Sequence, residues 1–66
     1  MSYSDIKAVT AYANNNMKLC PAAKEVGIDY RTMSLRLDQI YRKTQLDPKC
    51  FRDLAEMVEA IEEETR

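Results

Sequence analysis

The chain contains no histidine and no tryptophan, and its 66 residues include one glycine, one phenylalanine, two prolines and two cysteines. These scarcities exclude a good deal. A zinc site needs about four Cys or His ligands at close spacing, and here only Cys20 and Cys50 are available, each at the start of a different expected helix. No metal and no cofactor is therefore expected, and the two cysteines read as buried or half-buried free thiols. An enzyme is also the least favoured class. The chain has no histidine base, no serine with a base partner, no glycine-rich phosphate loop and no concentrated carboxylate pair outside its acidic C-terminal stretch. No apolar run approaches the ~20 residues that cross a bilayer, and the opening MSYSDIK lacks the apolar centre of a signal peptide. The expectation is a cytoplasmic protein with no membrane partner. No window alternates with the strand period, so no β wing is expected.

What is present points to helices. Apolar residues make up 45% and charged residues 32% of the chain, a balance that suits a folded domain and argues against disorder. A chain this short forms one domain, residues 1–66, and buries only about 60% of its unfolded surface, so a dimer interface would add needed stability. The formal charge is −1, but it is unevenly divided. Residues 1–29 are neutral, residues 30–52 carry six cations against two carboxylates for a net +4, and residues 53–66 carry a net −5. Distribution matters more than the total when a polyanion is to be steered.

Four helices are expected, over about 4–15, 19–26, 30–43 and 48–62. Ser4 and Asp5 suit the start of the first, Ile6, Val9, Ala13 and Met17 recur at the helical period along it, and Asn14-Asn15-Asn16 stops it. Pro21 fits the first turn of the second. The third carries the apolar stripe Met33, Leu37 and Ile40, with Tyr30 and Tyr41 at its margins. Asp47 and Pro48 suit the N-cap and first position of the fourth, where Phe51, Leu54, Val58 and Ile61 form a short seam that either closes the core or meets its own copy. Lys49 and Arg52 stand at that helix's positive end and Glu62 to Glu64 at its negative end, opposite to what the helix dipole favours.

Between the second and third helices stands Gly27. It supplies the left-handed backbone that ends a helix without a Cβ clash, and Asp29 can accept from the amide of Arg31 or Thr32 to cap the next. Ala23, four residues before Gly27, is small enough for a close crossing. Residues 19–43 thus follow helix-turn-helix logic, and the fold class expected is all-α: a compact four-helix domain with a central helix-turn-helix.

With these residues placed, AAKEVGIDYRTMSLRLDQI resembles the Fis-type helix-turn-helix at Ala22, Ala23, Gly27, Ile28, Thr32, Met33, Arg36 and Leu37. The chain is also similar to the C-terminal DNA-binding domain of the PucR and CdaR regulators, whose T-aliphatic-x-x-R-L-x-x-I run is matched by Thr32, Met33, Arg36, Leu37 and Ile40, and whose link into a last helix looks like TQLDPKCFRDL. The second likeness spans about residues 6 to 61. In those regulators the domain ends a much longer chain bearing a sensor region, whereas here the domain is expected to be the whole protein. Ligand sensing is not carried over, and no small-molecule ligand is expected.

The resemblance implies a bacterial or phage transcription regulator, nucleoid-associated, that binds double-stranded DNA; because one recognition helix reads only a few base pairs and would bind weakly, a homodimer through the first or last helix is expected. In this docking mode the second helix of the pair enters the major groove. Tyr30, Arg31, Ser34 and Leu35 would then face the bases, with Arg31 able to bind guanine bidentately and Leu35 to touch a thymine methyl. Thr32, Arg36, Lys18, Lys24, Arg42 and Lys43 would contact phosphates. Each has a plainer reading: Arg31, Lys18 and Lys24 as solvated surface, Thr32 as capping alone, Leu35 as a protein contact, Ser34 as a small surface residue, Arg36 paired with Glu25, and Arg42 and Lys43 as complements to the helix dipole. Asp38 lies one turn beyond Ser34 and would limit groove entry. The alternative function is a protein–protein interaction module, a phage- or plasmid-type adaptor on the same fold.

Overall fold

Ser2 opens the first helix, because it is the serine with a carboxylate three residues on. Its hydroxyl accepts from the Asp5 amide and the Asp5 carboxylate accepts from the Ser2 amide, a reciprocal capping box. Ser4 has Lys7 at that spacing, so the expected start moves back, and helix α1 runs Tyr3–Asn14 in the computed structural model, which describes residues 1–64. The asparagine run does end it: Asn15 caps, and Asn16 and Met17 both take left-handed backbone, at φ 58° and 62°. Helix α2 spans Leu19–Val26, α3 spans Tyr30–Thr44, and Gln45 closes α3 with a left-handed residue of its own.

The fourth helix begins later than the Asp47-Pro48 pair suggests. Asp47 spends its side chain on the Lys49 amide and its carbonyl on the Cys50 amide, forming an isolated turn, while its own amide donates to the Asp53 carboxylate. The helical ladder then starts from the Cys50 carbonyl, and α4 runs Phe51–Glu64. Thr65 and Arg66, the end of the acidic segment, lie outside the described residues. The described residues contain four helices and no strand.

The hub of the core is α1, which packs against all three other helices, whereas α4 rests on α1 alone. Three neighbours need a broad contact surface and close approach. Accordingly Ala8, Val9, Ala11 and Tyr12 are buried, and the expected stripe members Ile6, Ala13 and Met17 are only partly so. Ala22 and Ala23 from α2, and Met33, Leu37 and Ile40 from α3, complete the centre. From α4 the buried set is Leu54, Met57 and Ile61. Met57 joins the expected seam, Val58 packs against it only partly buried, and Phe51 is 74% exposed. Both cysteines are exposed free thiols, contrary to expectation. Cys20 lies in the first turn of α2, whose inward positions are the two alanines, and Cys50 lies in the turn before α4.

Candidate nucleic-acid interface

The α2–turn–α3 unit is built by backbone chemistry at Gly27. That residue sits at φ 82°, ψ 32°, its amide donates to the carbonyls of Ala23 and Lys24, and the Ile28 amide reaches back to Ala23 at 3.0 Å. These bonds satisfy the last carbonyls of α2 in the Schellman manner. Two residues on, the Asp29 carboxylate accepts from the Arg31 amide at 3.3 Å and starts α3. A three-residue turn thus fixes where α3 points.

From that start α3 divides cleanly. Met33, Leu37 and Ile40 have no exposed surface, while Tyr30, Arg31, Thr32 and Leu35 are exposed. Arg31 extends over its neighbour, with its guanidinium 5.8 Å from the Tyr30 ring centre and Nε 3.4 Å from the phenol oxygen. Leu35 is an aliphatic left 55% exposed on this otherwise polar face.

Ser34 and Asp38 share one partner. Lys49, from the turn before α4, donates to Ser34 Oγ at 3.3 Å and to Asp38 Oδ1 at 3.2 Å. The ion pair neutralises the one carboxylate on this face, and it leaves Ser34 half-buried. No local pattern could have announced it, since the partners are 15 and 11 residues apart.

The remaining cations are dispersed. Arg36 is half-buried, and the pairing with Glu25 weighed for it does not form: Glu25 accepts instead from Asn15 Nδ2 at 3.2 Å. Arg42 is exposed in the last turn of α3. Lys43 is drawn away, its ammonium 3.3 Å from Asp5 Oδ2 at the start of α1. Burial pushes the Asp5 carboxyl upward, but the Ser2 amide, the Lys43 hydrogen bond and charge, and the Ser2 hydroxyl together outweigh it and hold the group below its ordinary value. Asp5 was legible as a dipole partner; its burial and its grip on Lys43 were not. Lys18 and Lys24 are exposed at opposite ends of α2, and Lys18 stands at the positive end of the dipole.

The surface that results joins an exposed arginine, hydroxyl and aliphatic on the first turns of a rigidly held helix with dispersed cations around it. No family model, curated protein or solved structure matches this chain, so its function is read from this geometry.

Proposed function

We propose that the chain is a sequence-selective, double-stranded-DNA-binding transcription regulator that presents α3 to the major groove and acts as a homodimer. The observation that carries this reading is the division of α3: Met33, Leu37 and Ile40 are fully buried and anchor it, while Arg31, Thr32 and Leu35 on its first turns stay open. Arg31 would pair with guanine, and Tyr30 and Leu35 would line the groove beside it. Ser34 would reach a base after Lys49 turns away. Thr32, Arg36, Arg42, Lys18 and Lys24 supply phosphate contacts, and Lys43 does so only on leaving Asp5. Lys18 supports this assignment because its charge opposes the α2 dipole, so helix stability does not account for it.

One specific observation, the exposed Leu35, favours a second reading in which the same face holds another protein. Fluorescence anisotropy with random and selected duplexes at two salt concentrations separates them. A DNA reader shows affinity that falls steeply with salt, and Arg31→Ala weakens binding to the selected duplex by about 1–3 kcal/mol. No salt-dependent binding to any duplex would overturn the proposal.

A further inference from the structure

Lys49 reaches the exposed face of α3 from outside the helix-turn-helix, and its backbone is firmly held there. Pro48 beside it is fully buried, the Asp47 carboxylate accepts from the Lys49 amide at 3.0 Å, the Asp47 carbonyl accepts from the Cys50 amide at 2.9 Å, and the Asp47 amide donates to Asp53 Oδ2 at 2.9 Å. The side chain is held less tightly. Its ammonium spends two donors, on Ser34 Oγ at 3.3 Å and Asp38 Oδ1 at 3.2 Å, and lysine carries three. With the side chains of the ion pair 41% and 53% exposed, these bonds exchange at little cost.

Ser34 and Asp38 stand one turn apart, three and seven residues beyond Arg31. The ammonium between them is therefore roughly 5–10 Å along the helix axis from Arg31, at about 1.5 Å per residue. On the DNA-binding reading, on which this inference rests, the first turns of α3 meet the base edges. A helix with its side chains is about 10–12 Å across and the major groove about 12 Å wide, so α3 fills the groove. The turn that carries Lys49 flanks α3 and must stay at the rim, where the phosphates are. We propose that Lys49 is a phosphate contact supplied from outside the helix-turn-helix, its ammonium exchanging the Ser34 hydroxyl for a backbone phosphate oxygen while keeping Asp38. A compact lysine charge suits that acceptor. The same movement frees Ser34 Oγ toward the bases and keeps the Asp38 carboxylate neutralised beside the phosphates.

Salt titrations of duplex binding by fluorescence anisotropy test this, with circular dichroism to show that each variant stays helical. Asp38→Asn supplies the background, because it removes the charge that Lys49 otherwise neutralises. Alone it should tighten binding at low salt by roughly three- to tenfold, since the ammonium is then undivided. Adding Lys49→Ala in that background should cancel this gain and lower the slope of log K against log salt by about 1. A slope indifferent to Lys49 there would overturn the contact and leave Lys49 as a partner of Asp38 only. An equal fall with Lys7→Ala, which removes a cation of α1, would reduce the effect to net charge and overturn the contact as well. Wild-type protein that binds no duplex in a salt-dependent way refutes the DNA reading and this contact with it, whereas salt-dependent wild-type binding with an unmoved slope refutes the contact alone.

Discussion

Replacing Gly27 with alanine isolates the backbone chemistry of the turn, because a Cβ built at this position meets no atom within 4 Å. Packing therefore contributes nothing to the cost. What remains is conformational: an L-residue at φ 82° pays roughly 1–2 kcal/mol for the left-handed region. Alanine also narrows the unfolded ensemble, which offsets about 0.4–1 kcal/mol of that. The net destabilisation for Gly27→Ala is then about 1 kcal/mol, and for a domain of this size that lowers the melting temperature by about 4–8 °C. Gly27→Asn should cost less, since asparagine tolerates this region better. Urea denaturation followed by circular dichroism reads both, and on the DNA-binding reading folded Gly27→Ala should keep its duplex affinity because α3 is not displaced. A loss above about 3 kcal/mol would refute the reasoning, since only breaking the Ala23 and Lys24 carbonyl bonds or an unseen clash reaches that size. A gain in stability would equally refute it, for it would mean that the turn is not left-handed in solution.

Two further substitutions probe the ion pairs. The folded-state pKa of Asp5 lies below its ordinary value, so its contribution is complete above the unfolded-state value of about 3.9 and is lost as pH falls through the folded one. Asp5→Asn should cost about 1 kcal/mol at neutral pH and flatten the loss of stability below about pH 4; an unchanged pH profile by urea denaturation would remove Asp5 from that role. Lys49→Ala breaks a pair whose side chains are 41% and 53% exposed, so stability should change by less than about 1 kcal/mol. On the DNA-binding reading it bares the Asp38 charge and weakens duplex affinity roughly two- to tenfold, and adding Asp38→Asn restores it. Anisotropy that shows no change in either variant would place Asp38 outside the interface.

The parts of the fold written in short-range chemistry were legible. Gly27 and Asp29 act within two or three residues of themselves, and so the turn and the start of α3 could be read directly. The asparagine run was similarly local. The start of α4 misled because Asp47-Pro48 has the residue types of a helix cap, yet the same carboxylate also closes an Asx turn on Lys49, and the turn won. The inner face of α1 was displaced because three neighbours, rather than one stripe, decide which residues are covered. Met57 was missed for a related reason: periodicity put Phe51 in the seam, and which side of α4 meets α1, burying Met57 and leaving Phe51 exposed, is decided by packing. On the candidate interface, residue types were readable but their partners were not. Lys43 and Lys49 counted toward a +4 segment, and the fold commits one to Asp5 and the other to Asp38 and Ser34.

Two charge placements run against helix stability, Lys18 at the start of α2 and the glutamates at the end of α4. Half-sites one helical turn apart require each α3 to lie roughly 17–18 Å from the two-fold axis. A single recognition helix held by a protein of net charge −1 would bind weakly. On the DNA-binding reading a homodimer would offset that weakness, since two copies of Arg31, Thr32 and Leu35 would then meet two half-sites at once.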